Sequence, residues 1–263
     1  MVTVKDLTIE YADGTRAVEN TGFSLEAGEN VALIGANGAG KTSLLLSLVG
    51  VLLPKFGEIR IDEAVFNTGD FGLPGDSFKQ ALKNAANTAA HSLTISQRTD
   101  KETLRAVRSR VGLVFQNPDD QLFMPTIYED AAFGPRSFGC DEIETSERVH
   151  TALSRLGIAH LAQRSPLKLS GGEKRLAAIA AVLAMEPEYL LFDEPTAFLD
   201  PRAKRNLASI LSDLPQGKLI ATHDLAFAGG ICSRVILLQN GKLAEDGGRE
   251  ILSDKTKLEA AGL

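Results

Sequence analysis

The chain has 263 residues, a formal charge of −6, 44% hydrophobic and 24% charged residues. That composition excludes a largely disordered chain, and the length suits one large domain, or a core with a smaller lobe, that buries its own interior. The mild acid excess offers no basic face of the kind that tracks nucleic acid, so no nucleic-acid partner is expected. Cys140 and Cys232 form no Cys-x-x-Cys pair, and with four histidines no zinc site is indicated. Both cysteines read as small buried hydrophobes in a reducing compartment. Met1-Val2-Thr3-Val4-Lys5-Asp6 is not a basic leader, and no apolar run approaches ~18 residues. The expectation is a cytosolic, globular chain without signal peptide or membrane span.

In chain order, Val2, Val4, Leu7 and Ile9 mark extended structure, although the step from Val4 to Leu7 breaks period two. Ala12-Asp13-Gly14-Thr15 reads as a turn, and Phe23-Ser24-Leu25 as a strand closed by Ala27-Gly28-Glu29. Val31-Ala32-Leu33-Ile34 is the continuous apolar run of a strand buried on both faces. A glycine-rich loop and a helical stretch at 42–49 follow it. Short strands recur at 111–115, 189–192, 218–221 and 235–238, mostly separated by helical patterns. This alternation predicts an α/β fold around a mainly parallel sheet. Asn240-Gly241 predicts a hairpin turn into Lys242-Leu243-Ala244.

Apolar positions at Ile143, Val149, Leu153 and Leu156 form an imperfect helical stripe over 142–156. With helical runs at 127–133 and 173–185 they predict a helical lobe, about 117–185, inserted between two core strands. The stretch 67–98 opens with glycines and a proline, then spaces Phe78, Leu82, Ala85 and Ala89 helically behind an Asp76-Ser77 cap. It reads as a peripheral, amphipathic insertion. The main domain is expected to span 1–245, leaving 246–263 as a short tail.

Gly35-Ala36-Asn37-Gly38-Ala39-Gly40-Lys41-Thr42 fits G-x-x-x-x-G-K-[ST] between a buried strand and a helix. Glycines let backbone N–H groups wrap a phosphate, and the helix start adds a favourable dipole. The loop and the following Ser43 are the candidate nucleotide cradle, with Lys41 reaching the β- and γ-phosphates and Thr42 ligating Mg²⁺. Tyr189-Leu190-Leu191-Phe192-Asp193-Glu194 is an apolar strand ending in two carboxylates. Asp193 suits Mg²⁺ held through its water shell, and Glu194 is the candidate base for the attacking water.

Leu169-Ser170-Gly171-Gly172-Glu173 completes the set. With it the chain resembles the nucleotide-binding subunit of ATP-binding-cassette (ABC) proteins, whose signature loop reads Leu-Ser-Gly-Gly-Gln. The resemblance implies a P-loop NTPase ABC ATPase fold with a RecA-like core, an N-terminal antiparallel β subdomain and an inserted α-helical subdomain. It implies ATP with Mg²⁺, and a head-to-tail dimer, homo- or heteromeric, in which Ser170, Gly171 and Gly172 bind the γ-phosphate held by the other subunit. Tyr11 looks like the residue that stacks on adenine, or else a strand tyrosine packed in the core. Gln116 looks like the glutamine that senses Mg²⁺ and the attacking water. His223, in Thr222-His223-Asp224, looks like the histidine that contacts the γ-phosphate and orients Glu194, and Leu199-Asp200 like the loop between subunits. Three features depart from the family: Glu173 with Lys174-Arg175 after it, Phe198 where a smaller residue is common, and the 67–98 stretch.

Phe115-Gln116-Asn117-Pro118-Asp119-Asp120-Gln121-Leu122-Phe123 and Glu129-Asp130-Ala131-Ala132-Phe133-Gly134-Pro135 look like the energy-coupling-factor importers. By that resemblance the region receives helices of a transmembrane scaffold subunit, with a substrate-binding membrane subunit beside it, at the cytoplasmic face of the membrane. Leu122, Phe123, Met124 and Phe133 then line a partner groove, or else an apolar seam inside the lobe. The wording looks most like cobalt and nickel uptake ATPases. A soluble cassette acting on ribosomes or DNA normally carries two cassettes or long coiled-coil insertions. A P-loop kinase or GTPase leaves Leu169-Ser170-Gly171-Gly172-Glu173 and His223 without a role.

Overall fold

The computed structural model describes residues 1–62, 64–67 and 101–263. All but the first residue of the expected insertion at 67–98, with its capped helix, lies outside them. Strand β1 (Val2–Glu10) pairs antiparallel with β2 (Arg16–Leu25) and β4 (Phe56–Ile61), and β5 (Ala64–Asn67) adds to β4. The irregular step from Val4 to Leu7 is a bulge. The β1–β2 register shifts there, Asp6 takes a φ of 50°, and both Val4 and Leu7 stay buried.

The second sheet contains β3 (Asn30–Ile34), β6 (Val111–Val114), β7 (Tyr189–Asp193), β8 (Gly217–Ala221), β9 (Arg234–Gln239) and β10 (Lys242–Gly248). Its order is β10-β9-β3-β8-β7-β6, parallel except for the β9–β10 hairpin. Asn240 and Gly241 both take positive φ, 49° and 78°, as the tight turn requires. Strand side chains alternate between faces, so these apolar strands feed two cores. Val31, Leu33, Leu191, Leu219 and Ile236 face the antiparallel sheet and the leucines of α1 (Lys41–Leu48), together with Val107 of α2 (Lys101–Arg110). Ala32, Ile34, Leu190, Phe192, Ile220 and Val235 face the opposite core.

That second core is built by α3 (Ile127–Phe138), α4 (Glu142–Arg155), α5 (Gly171–Leu183), α6 (Pro201–Asp213), α7 (Leu225–Ile231) and α8 (Lys255–Ala260). The first three fall between β6 and β7 in the chain. On α4 the buried stripe is Thr145, Val149, Ala152 and Leu153, while Ile143 is exposed and drops out of it. Two further expectations are corrected. Cys232 is buried, but Cys140 is only half-buried, because it follows the left-handed Gly139 cap of α3 in the turn before α4. The boundary expected at 245/246 falls inside β10, and Ile251, Leu258 and Ala261 are buried in the second core.

Candidate functional site

Parallel pairing puts the carboxyl ends of β3, β8, β7 and β6 on one edge of the sheet, where ligands of such sheets gather. The P-loop leaves β3, Gln116 follows β6, Asp193 and Glu194 end β7, and Thr222-His223 follow β8. Backbone bonds lock these loops together: Thr222 donates to the Leu33 carbonyl at 3.1 Å, and Glu194 to that of Ala221 at 2.8 Å.

Two P-loop glycines are required by close approach. A Cβ on Gly35 would lie 2.4 Å from the Leu238 carbonyl oxygen. One on Gly40, whose φ is 103°, would lie 2.1 Å from that of Ala17. Ala39 is buried and Ala36 half-buried, while Asn37 and Gly38 are exposed. Lys41 is buried, and its Nζ donates to the carbonyls of Gly35 (2.6 Å) and Ala36 (3.2 Å) and lies 3.6 Å from Glu194. The Thr42 hydroxyl donates to Asp193 Oδ2 at 2.8 Å. Ser43 Oγ is 2.7 Å from the hydroxyl of Tyr11, whose ring packs beside the first core. Tyr11 therefore sits against the first turn of α1.

Asp193 and Glu194 are both buried. Burial pushes the Asp193 carboxyl up, with the Thr42 hydrogen bond opposing it. Asp193 Oδ1 is buried without a hydrogen-bond partner among the described residues. A hard cation takes oxygen ligands, so the Thr42 hydroxyl and this oxygen of Asp193 fit Mg²⁺. Glu194 sits at a φ of 44°, an outlier at the end of the strand. Its Oε2 lies 2.9 Å from His223 Nδ1 and accepts from Thr222 Oγ1 at 3.3 Å and from the His223 N–H at 3.4 Å. Two adjacent contact sets, Lys41–Glu194–His223 and Thr42–Asp193, thus lie side by side at the end of β7. The Gln116 side chain is exposed on the same edge.

The signature residues are elsewhere. Ser170 caps α5 in a capping box: Glu173 N–H donates to Ser170 Oγ at 3.3 Å, and the Ser170 N–H and hydroxyl donate to Glu173 Oε2 at 2.8 and 2.7 Å. Those two bonds hold the Glu173 carboxyl below its usual range. Glutamate at 173 thus closes the capping box as a carboxylate. Ser170 and Gly171 are exposed, and Gly172 is half-buried. Phe198 is close by, since its carbonyl oxygen would lie 4.0 Å from a Cβ on Gly171. The Phe198 residue is 87% exposed at a φ of 62°. Asp200 caps α6 through the N–H groups of Arg202 (2.8 Å) and Ala203 (2.9 Å).

The family model described as ABC transporter matches residues 18–197. A putative ABC transporter ATP-binding protein of Geobacter sulfurreducens is 43% identical over 94% of this chain and 86% of its own. The energy-coupling factor transporter ATP-binding protein EcfA of Methanothermobacter thermautotrophicus is 38% identical over 100% of this chain and 76% of its own. The chain belongs to the ABC transporter family. Among solved structures, cbiO1 of Clostridium perfringens, part of the ABC transporter complex cbiONQ, superposes with a TM-score of 0.76 at 31% identity, covering 98% and 92% of the two chains. The protein is an ATP-hydrolysing transporter subunit of the energy-coupling-factor type, and its fold is the ABC ATPase fold expected.

The partner groove expected of this ABC ATPase is only partly realised. Leu122 is buried in the second core. Gln121 also turns inward, its Oε1 accepting from the Phe115 N–H at 3.2 Å and its Nε2 donating to the Ala178 carbonyl at 2.8 Å. Phe123, 44% exposed, packs edge-on against half-buried Phe133, ring centroids 5.1 Å apart. Asp130 pins this loop, its Oδ1 accepting from the N–H groups of Phe123 and Met124 at 2.9 Å each, and burial pushes its carboxyl up to about 6.

Sequence reasoning missed Arg175. It is 1% exposed and donates from Nη1 to the Phe115 carbonyl at 2.7 Å and from Nη2 to that of Gln116 at 2.6 Å. Its place was legible in the helical period, because 175 shares a face with the buried positions 178, 179 and 182 of α5.

Proposed function

We propose that this ATPase powers an importer of the energy-coupling-factor kind, for cobalt or nickel ions or a vitamin, from the cytoplasmic face of the membrane. It does so as a head-to-tail dimer of ATPase subunits with two shared nucleotides, joined to a transmembrane scaffold subunit and a substrate-binding membrane subunit. Among the described residues no helix is long and apolar enough to cross a membrane, so the translocation path is assigned to those partners.

In the reaction, the P-loop amides and Lys41 hold the β- and γ-phosphates, with the ammonium leaving its present carbonyl partners for phosphate oxygens. Thr42 and Asp193, with Gln116 from the neighbouring loop, are the residues that would hold Mg²⁺, which neutralises charge on the phosphate oxygens when bound. Glu194 takes the proton from the attacking water. As the water oxygen bonds to the γ-phosphorus, the bond to the bridging oxygen breaks, leaving ADP and inorganic phosphate. His223, fixed to Glu194 through Nδ1, aims the carboxylate and offers its other ring nitrogen to the γ-phosphate. The ring of Tyr11 stacks on adenine, and Ser170, Gly171 and Gly172 close the other subunit's site.

The observation that carries the importer reading is the aromatic pair Phe123 and Phe133, held at the surface of the lobe by Asp130. An aromatic anchor lost from an interface typically costs ~2 kcal/mol or more, roughly thirtyfold in affinity. Phe123→Ala should therefore release the ATPase from membrane subunits co-expressed with it, while basal hydrolysis by the isolated protein changes little. A variant that stays bound with full uptake would contradict the assignment of this face.

A further inference from the structure

We propose that Arg175 is a positioning residue for hydrolysis, fastening the loop that carries Gln116 to the signature helix so that the two move as one body. The inference rests on the role given above to Gln116.

Arg175 lies five residues after Ser170 on α5, and its guanidinium spans the successive carbonyls of Phe115 and Gln116. A planar fork matches two neighbouring acceptors as no other side chain does. The arrangement is costly, because burying a charge without a counterion is unfavourable. Among the described residues Arg175 forms no ion pair, and its Nε has no hydrogen-bond partner. Asp193 is the charge that acts on it, and burial lowers the guanidinium to about 10. A packing role alone would be served better by an apolar side chain, so the return lies in what the fork holds.

Two other side chains fasten the same loop to the same helix. Gln121 bridges the Phe115 N–H to the Ala178 carbonyl, and Lys174 Nζ lies 2.6 Å from Asp119 Oδ1. The Gln116 side chain is itself exposed, so its backbone decides where the amide reaches. Any rotation of α5 that brings Ser170 to a nucleotide also carries Gln116 relative to Asp193. A partner acting on the lobe would thus set the catalytic loop through Arg175.

The test is a double-mutant cycle on the full chain with Arg175→Lys and Gln116→Ala. Arg175→Lys keeps the charge but not the planar fork. It should leave ATP affinity in EDTA within about threefold, lower kcat roughly tenfold to hundredfold, and raise the apparent KM for Mg²⁺. Combined with Gln116→Ala, it should add no further loss of kcat. Wild-type turnover by Arg175→Lys, or losses that multiply in the double variant, would overturn the inference. Should Gln116→Ala alone hydrolyse normally, the role of Gln116 fails first and takes the inference with it. If Arg175→Lys loses its helical circular dichroism, the same cycle with Gln121→Leu decides, since it cuts a second fastening and leaves the buried guanidinium on its two carbonyls.

Discussion

Two helices of this chain begin at glycine-rich loops, and their starts are finished in different ways. At α1 the start is answered from inside the chain. Lys41 rests on the carbonyls of Gly35 and Ala36, Thr42 on Asp193, and Glu194 on Thr222 and His223. At α5 the start is exposed, and the Ser170 side chain is taken up by Glu173 in the capping box. In the proposed reading the first is the catalytic half. In the same reading the second is a binding edge. The difference is the one the proposed head-to-tail dimer requires: two unlike halves of one site, the second of them serving another molecule.

The comparison breaks most visibly at Glu194. Glu194→Gln keeps the shape but cannot take a proton, so hydrolysis should fall by roughly 10²–10⁴-fold while nucleotide binding persists. Turnover at half the wild-type rate would remove Glu194 from the base role. At the other helix start, Ser170→Arg should leave ATP binding by the isolated chain within a few-fold. Its hydrolysis should still fall roughly hundredfold, because donors to the γ-phosphate are blocked. Loss of binding in the isolated chain would place the signature loop in the chain's own site.

Phe198 sharpens the contrast through opposing signs. A bulky residue at positive φ is strained, by roughly 1–2 kcal/mol, and an exposed aromatic gains nothing in the single chain. Phe198→Gly should therefore raise the melting temperature of the nucleotide-free protein. In a Glu194→Gln background it should weaken the ATP-dependent dimer roughly thirtyfold, as loss of an interface aromatic does. Analytical ultracentrifugation and thermal melts read the two effects. A dimer of undiminished strength would dismiss Phe198 as a contact.

The smallest effects concern the two carboxylates nearest the helix starts. Asp193 lies above its ordinary value of 3.8, so the unfolded chain gives up its proton first. Stability from this group falls as pH rises from about 4 through its folded value. Asp193→Asn should therefore melt no lower than wild type at pH 7.5, with any advantage closing near pH 4. Glu173 lies below its ordinary value of 4.5. Its contribution is full above about 4.5 and lost as pH falls through the folded value, so Glu173→Gln should show a small deficit at pH 7.5 that vanishes in acid. Melts of both variants across pH 4–8 that moved in the same direction would contradict the contrast.

Much of this was legible in the sequence, for physical reasons. A continuous apolar run such as Val31-Ala32-Leu33-Ile34 announces a strand buried on two faces, and the glycines at 35 and 40 mark close backbone approach. The bulge in β1 was visible as the broken step from Val4 to Leu7, though not as a bulge. What stayed hidden depends on neighbours distant in the chain. Leu122 and Phe123 are adjacent and both apolar, and only the packing of α3 and α5 sends one inward and leaves the other out. Arg175 reads as one more charge until Phe115 and Gln116 are folded above it. Phe198 shows its strain only as a backbone angle.

The most direct test of the two-halves account is complementation between chains. Lys41→Ala disables the first half and leaves the second; Ser170→Arg does the reverse. Each variant alone should be inactive. Mixed dimers should recover hydrolysis, because one of their two composite sites joins an intact P-loop to an intact signature loop. A mixture as inactive as its components, though shown to form mixed dimers, would contradict the account, as would either variant hydrolysing ATP by itself at the wild-type rate.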